Sequence, residues 1–172
     1  MRKLFLSPEG RLSSQDFLHA GMSLILIGVI PNLIALVNFN LAQKFNWISF
    51  LVLWPWVAIW VKRLHEGGKS GWMFLVYLLL YLLLSIAAMM VVIDIFSGDA
   101  FWKMMADMAN GALSQTEMEL QMQVWSKTML LPTTIVSLIT SLAALYIGDK
   151  TIGIDPHDNQ YGPGSDQASV FE

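Results

Sequence analysis

The chain has 172 residues, of which 55% are hydrophobic and only 13% are charged, whereas soluble domains carry about 25% charged residues. This composition indicates a membrane protein, and the net charge of −3 is too small to favour a nucleic-acid partner. Cysteine is absent, which excludes disulfides, thiolate metal ligands and cysteine nucleophiles.

The first predicted elements are a basic arm and a membrane-spanning helix. Residues 1–16 are polar and basic, and we expect them to form a cytoplasmic arm. Ser13 or Ser14 can cap the helix that follows, and Asp16 falls in its first turn, where the helix dipole favours an anion. Residues 17–39 contain no Asp, Glu, Lys or Arg. They predict a first transmembrane span, because about 20 apolar residues cross the hydrocarbon core.

Two further spans follow in the chain. The apolar run at about 46–63 is short, so it can cross the membrane only if Lys62 and Arg63 extend the helix and snorkel to the interface. Residues 72–94 form the third predicted span, which is apolar up to Asp94.

The region at 97–128 is polar overall but carries apolar residues at helical spacing. We expect an outer insert of two short amphipathic helices that break at Gly111. Ser114 and Glu117 have the spacing of a capping box, which predicts the start of the second helix.

The last predicted span and a tail complete the chain. Residues 129–147 form the fourth span, with Pro132 in its first turn, where proline is tolerated. Residues 148–172 are rich in Gly, Pro, Asp and Asn, and we expect an acidic cytoplasmic tail that is irregular and disordered at its end.

These elements predict an all-α membrane protein with four transmembrane helices and a short amphipathic helical hairpin between the third and the fourth. Lysines and arginines near span ends favour the cytoplasmic side. With both termini cytoplasmic, seven of these residues lie inside and three outside, so we expect that orientation. The inner set is Arg2, Lys3, Arg11, Lys62, Arg63, Lys69 and Lys150, and the outer set is Lys44, Lys103 and Lys127.

The turn between the second and third spans, residues 62–72, is the densest polar stretch near the membrane. Its cations suit the negative end of a helix dipole, Gly67 and Gly68 can end that helix, and Ser70 can cap the next one. Trp72 is expected at the membrane interface. Glu66 is spaced to pair with Lys62 or Arg63 on its own helix.

His65 is the one residue of this turn without such a structural explanation, and the sequence leaves open whether Arg11 and the tail around Tyr161 meet it. A functional alternative remains open, because three cations beside glycine amides and a helix start can bind a phosphate. That hypothesis groups ten residues in a lipid or ligand site: Arg11, Lys62, Arg63, His65, Glu66, Lys69, Ser70, Trp72, Asn159 and Tyr161.

Catalysis and metal binding have little support in the sequence. The three histidines lie on different segments, and no ionisable group lies deep in a predicted span, as a proton relay needs. Methionine stripes can bind copper(I), but such faces more often pack or associate. We therefore expect no enzyme activity, no metal and no cofactor.

Three motifs resemble a known family. They are Gly10-Arg11, the turn Lys62-Arg63-Leu64-His65-Glu66-Gly67-Gly68-Lys69-Ser70-Gly71-Trp72, and the tail Asn159-Gln160-Tyr161-Gly162-Pro163. In this order they resemble the bacterial inner-membrane family catalogued as domain of unknown function 805. Lys62 and Glu66 depart from the family's Arg and Asp but keep the charge, and the insert at 97–128 is longer than usual. The resemblance implies a small multi-pass protein of the bacterial inner membrane and implies no activity.

Three functions remain as hypotheses. Small residues recur every seven positions at Gly21, Gly28 and Ala35, where a neighbouring helix can approach closely. We therefore favour a non-enzymatic membrane interaction or assembly component that associates with itself or with a membrane partner in the lipid bilayer. The alternatives are recognition of an anionic lipid or small phosphorylated ligand at the turn 62–72, and a small transporter subunit.

Overall fold

A computed structural model describes residues 2–45 and 47–163, apart from the side chains of residues 2, 3, 48 and 49. The fold of this part is all-helical, without strands, and an isolated bridge joins Asn159 to Gly162. A short 3-10 turn, Gly71–Met73, precedes the fifth helix. The helices are α1 (Arg2–Leu6), α2 (Ser14–Val37), α3 (Phe39–Phe45), α4 (Ile48–Glu66), α5 (Phe74–Ser97), α6 (Asp99–Ala109) and α7 (Gln115–Ile152).

Local sequence signals determine where several helices begin. Ser13 caps α2, and its hydroxyl accepts a hydrogen bond from the backbone N–H of Asp16 at 3.1 Å. Ser114 and Glu117 form the expected capping box at the start of α7, which satisfies two N–H groups that have no partner within the helix. Ser70 caps the 3-10 turn before α5. The predicted caps are therefore confirmed.

The predicted separation between the outer insert and the fourth span is wrong. The structure has one continuous helix, α7, of 38 residues, and Pro132 lies inside it instead of in a first turn. Between the capping box and Pro132 there is no glycine or proline, so nothing in that stretch ends a helix. The helix also continues past the predicted boundary at 147 to Ile152, and the far end of the predicted tail, 164–172, lies outside the described residues.

Within the described ranges 2–45 and 47–163, three helices are long and apolar enough to cross a membrane. They are α2, α5 with its preceding 3-10 turn, and α7. The pair α3 and α4 qualifies as a fourth span only if the two helices, which meet at a bend of 53°, count as one. The α4 helix continues to Glu66, beyond the predicted end at 63.

The core lies where α2 packs against α4 and α7. Phe17 and Trp60 meet edge to face with ring centroids 5.2 Å apart, a preferred geometry for aromatic pairs. Gly148 faces the Trp60 ring so closely that a Cβ there would overlap it, and Gly21 faces Leu145 in the same way. Small residues thus let these three helices approach closely.

The arm, the turn and the tail all lie at one end of the molecule. The backbone N–H of Leu12 donates to the carbonyl of Lys62 at 3.2 Å, and the N–H of Asp155 donates to the carbonyl of Glu66 at 2.9 Å. At the far end of α5, Trp125 of α7 donates its indole N–H to Ser97 at 3.1 Å. We call the first end the cap, formed by residues 10–14, 62–66, 149 and 155–162.

Candidate functional site

Arg11 is the centre of the cap, where its guanidinium joins the arm to α4 and to the tail. Its Nε donates to Glu66 Oε2 at 2.8 Å, in an ion pair whose side chains are 4% and 0% exposed. Its Nη1 donates to the carbonyls of His157 at 2.6 Å and Gly162 at 3.4 Å. Its Nη2 donates to the carbonyls of Asp155 and Glu66. Arg11 therefore holds three chain segments together while its charge is balanced by one carboxylate.

A second buried ion pair joins α4 to α7. Arg63 Nε donates to Asp149 Oδ1 at 2.8 Å, and Arg63 Nη2 donates to the carbonyl of Asp149 at 3.2 Å. The other carboxylate oxygen accepts from the Ser14 hydroxyl at 2.8 Å, so the start of α2 joins the same cluster. Both charged side chains are 2% exposed. Burial of this kind is tolerated only when charges are paired and hydrogen-bonded.

These pairs correct two predictions about the turn. Glu66 forms its ion pair with Arg11 of the arm. The prediction that it pairs with Lys62 or Arg63 of its own helix is therefore wrong. Lys62 and Arg63 extend α4 as predicted, but they do not snorkel into the interface: they are 4% and 1% exposed. Lys62 Nζ donates to the carbonyl of Leu4 at 3.0 Å, because α1 packs over the end of α4.

His65 connects the arm to the tail, which answers a question that the sequence left open. Its Nδ1 lies 3.1 Å from the carbonyl oxygen of Gly10, and its ring is stacked on Tyr161 with centroids 3.7 Å apart and an interplanar angle of 2°. The His65 carbonyl accepts from Asn159 Nδ2 at 3.1 Å. An Nδ1 that bonds a carbonyl must carry the proton, so this contact selects the Nδ1–H form of the ring.

The tail keeps its shape through short-range hydrogen bonds. The backbones of Asn159 and Gly162 exchange two hydrogen bonds, and Tyr161 N–H donates to Asn159 Oδ1 at 2.9 Å. The Asp155 carboxylate accepts from the backbone N–H of His157 at 3.1 Å and from the Asn159 side chain at 3.2 Å. These hydrogen bonds, with the nearby positive charge of Arg11, hold the pKa of Asp155 below its ordinary value of 3.8.

Three of the proposed ligand-site residues lie at the edge of the cap. Lys69 is half-buried, and its Nζ donates to the carbonyl of Thr151 at 2.9 Å. Ser70 is engaged in its capping role, and Trp72 is 79% exposed, as a side chain beside lipid headgroups would be. The other seven residues of the hypothesis belong to the cap itself: Arg11, Lys62, Arg63, His65, Glu66, Asn159 and Tyr161.

The sequence did not predict the role of Asp149, which accepts hydrogen bonds from both Arg63 and the Ser14 hydroxyl. A signal was present, because Asp149 is the first acidic residue after a long uncharged run and so lies at a span end. An acid there needs a partner when the helix end is covered by protein. Asp155 was also missed, since nothing in its local sequence relates it to Arg11.

The electrostatics of the cap indicate an architectural cluster. Its two buried cation–anion pairs are neutral together, and the guanidinium donors of Arg11 are directed at protein oxygens. Within the described residues, Arg63 Nη1 and Glu66 Oε1 are buried without a hydrogen-bond partner, which lowers the stability gained from the pairs. No group of three or more His, Asp or Glu side chains in the described ranges could hold a metal ion.

Comparison with known proteins gives no relative from which a function can be transferred. No protein-family model matches the chain, and no curated protein or solved structure matches it. The resemblance of the three motifs to the domain of unknown function 805 family stays an expectation from the sequence.

Proposed function

We propose that this chain is a four-span protein of the bacterial inner membrane that acts by association with a protein partner and not by catalysis. The observation that carries the proposal is the length of α7 together with apolar side chains exposed near its N-terminal end. The cap, in this proposal, fixes the helices relative to one another at the cytoplasmic surface.

Two arguments support the topology. The end of α4 lies beside the arm that precedes α2, through the 3.2 Å bond from Leu12 N–H to the Lys62 carbonyl. If α2 crosses the bilayer, residues 37–66 must return across it, which favours α3 and α4 as one broken span. The excess of lysine and arginine on the cap side favours a cytoplasmic cap and cytoplasmic termini.

The length of α7 exceeds what the bilayer needs. Its 38 residues extend about 57 Å at 1.5 Å per residue, whereas the hydrocarbon core is about 30 Å thick. With its C-terminal end in the cap, the segment at 115–128 projects beyond the opposite membrane surface. There it packs on α6, with the Phe101 and Trp125 ring centroids 5.0 Å apart.

The projecting segment and α6 carry large apolar side chains that the fold leaves uncovered. Trp102 is 46% exposed, Leu120 60% and Val124 57%. Leu120 and Val124 are four residues apart and therefore share one helix face. Apolar surface that is exposed outside the hydrocarbon core marks a contact surface. We propose that this face binds a protein, the simplest partner being a second copy of this chain.

Because the chain contains no cysteine, any disulfide formed by a single-cysteine variant involves the introduced residue. In membranes or lipid nanodiscs, Leu120→Cys would be oxidised and the products separated by mass. Glu119→Cys is the matched control, since it is also exposed but points about 100° away around the helix. We expect a disulfide-linked dimer for Leu120→Cys and far less for Glu119→Cys. Monomer alone for Leu120→Cys, with no heterologous adduct in native membranes, would contradict the proposal.

Recognition of an anionic lipid or phosphorylated ligand at the turn has less support from the geometry. Arg11 and Arg63 are buried and paired with carboxylates, so an anion would have to displace Glu66 or Asp149. If this alternative is correct, alanine at Arg63 and Lys69 weakens binding to anionic vesicles, most strongly at low salt.

A further inference from the structure

The first helix, α1, packs along α4 from the cap towards the middle of that helix. Leu4 is 2% exposed and belongs to the buried core, whereas Leu6 is 60% exposed. Trp54 of α4, which bonds to Leu6, and the nearby Leu53 are exposed as well. The outer side of α1 therefore continues the apolar outer surface of α4.

Two side chains of α4 donate hydrogen bonds to carbonyls in the last turn of α1. Trp54 Nε1 donates to the carbonyl of Leu6 at 2.9 Å, and Lys62 Nζ donates to the carbonyl of Leu4 at 3.0 Å. Carbonyls in the last turn of a helix have no partner within that helix. In the cytoplasm water satisfies them, but in lipid they must be paired within the protein. Donors supplied by α4 thus suit a segment that lies in lipid.

The position of Trp54 sets the depth of α1. Trp54 precedes Arg63 of the cap by nine residues, or about 14 Å along α4 at 1.5 Å per residue. One leaflet of the hydrocarbon core is about 15 Å thick. With Arg63 at the membrane surface, the end of α1 lies inside the cytoplasmic leaflet.

The chain after α1 is long enough to return from that depth to the cap. Four residues of extended chain cover up to about 14 Å, which is the separation of Leu6 from Gly10 in the sequence. The Gly10 carbonyl is already in the cap, 3.1 Å from His65 Nδ1. The segment between them therefore accommodates an inserted α1.

We propose that α1 is embedded in the cytoplasmic leaflet, with Leu6 against lipid acyl chains and Trp54 holding its end at that depth. The inference rests on the topology in the proposed function, in which α3 and α4 cross the membrane together. It differs from the cytoplasmic arm that the composition of residues 1–16 predicts. In this position α1 also covers Lys62, which is 4% exposed, and keeps its charge away from lipid.

The test is spin labelling of the whole chain in phospholipid nanodiscs. The chain lacks cysteine, so Leu6→Cys and Glu9→Cys each carry one label, both at exposed positions. Power saturation compares access of oxygen, which concentrates in hydrocarbon, with access of a nickel chelate, which stays in water. We expect the Leu6 label to favour oxygen and to lie deeper than the Glu9 label by up to about 10 Å, three residues of extended chain. A Leu6 label as open to the nickel chelate as the Glu9 label would overturn the proposal.

A third label separates this inference from the topology on which it rests. Leu53→Cys lies on the exposed side of α4, and its label favours oxygen if α4 crosses the membrane. Oxygen preference at Leu53 with nickel preference at Leu6 would overturn the placement of α1 alone. Nickel preference at both positions would overturn the topology as well.

The role of Trp54 is tested with the label kept at Leu6. Trp54→Phe retains an aromatic ring but removes the donor to the Leu6 carbonyl, so we expect the label to move towards the headgroups. Trp72→Phe makes the same change at an exposed position on the 3-10 turn and should leave the depth unchanged. Equal depths in the two variants would overturn the role assigned to Trp54. The label measurements above need no change at Trp54, so they decide the placement of α1 even if this variant misfolds.

Discussion

Replacing Asp149 with asparagine removes one charge from the buried pair with Arg63 while keeping the shape of the side chain. We expect a large loss of stability, because the guanidinium then lies 2% exposed without a counter-charge. Removing one partner of a buried ion pair costs about 3–5 kcal/mol. Asparagine can still accept from Arg63 Nε, so the lower figure of about 3 kcal/mol is expected.

The measurement is thermal unfolding in lipid nanodiscs, followed by the fluorescence of the seven tryptophans. For a chain of this size about 3 kcal/mol lowers the midpoint by roughly 6–12 °C. Asp94→Asn is the matched control, since it makes the same chemical change at an exposed position. Equal midpoints for the two variants would refute the argument that the Arg63 charge is buried and depends on Asp149.

A double replacement separates the penalty of an unpaired charge from the net value of the pair. Arg63→Met with Asp149→Leu removes both charges and keeps apolar volume. Since an apolar substitute for a buried ion pair is often neutral in stability, we expect the double variant to recover most of the loss. A double variant as unstable as Asp149→Asn would indicate that the hydrogen bonds to Ser14 and the backbone matter more than the charge.

Three further predictions concern the packing and the tail. Gly148→Ala should lower the free energy of unfolding by about 1–3 kcal/mol, because the added Cβ overlaps the Trp60 ring; denaturant titration measures it. Tyr161→Ala should speed hydrogen exchange in residues 155–163, because the stack on His65 is lost, whereas Tyr161→Phe should preserve protection. The hydrogen-exchange protection of residues 155–163 should also fall below pH 3.8. Folding lowers the pKa of Asp155, so the stability that its carboxylate contributes is fully present above the ordinary pKa. That contribution is lost as the pH falls through the lower pKa of the folded state.

Each of these predictions has its own control. Gly28→Ala makes the same change where the added Cβ would meet no atom within 4 Å, so it should not destabilise, and an equal loss at both glycines would contradict the packing argument. For the tail, Tyr161→Ala with unchanged exchange would mean that the backbone bonds suffice. Asp155→Asn should remove the acid-dependent loss of tail protection, and an unchanged pH profile would assign it to another carboxylate.

Local signals predicted the described helices well where a helix-capping residue or an apolar run was present. Ser13, Ser114 and Glu117 begin helices in the structure as the sequence indicated. The prediction that Pro132 lies in the first turn of a separate fourth span is wrong, because α7 runs through it. A proline inside a helix removes one hydrogen bond, and the structure tolerates it within a long helix whose neighbouring turns remain paired.

The sequence likewise predicted part of the candidate site and not the rest. The spacing of the turn predicted that Lys62 and Arg63 continue α4 and that Ser70 caps the next element. The partners of its charges were not predictable from spacing, because Arg63 and Asp149 are 86 residues apart and Arg11 and Glu66 are 55 apart. Pairing at such separation depends on which helices meet in the tertiary structure, and the residue spacing within one helix marks its packing face without specifying the partner.

By itself, the sequence determined that this is a helical protein with apolar helices that can cross a membrane, since composition and run length are set by the hydrocarbon core. It also indicated that the turn at 62–72 is where charge concentrates. The tertiary structure decided what those charges do. Because α1 and the tail cover the end of α4, Arg63 and Glu66 are removed from water and must find partners within the protein. That burial joins the arm, the turn and the tail into the cap.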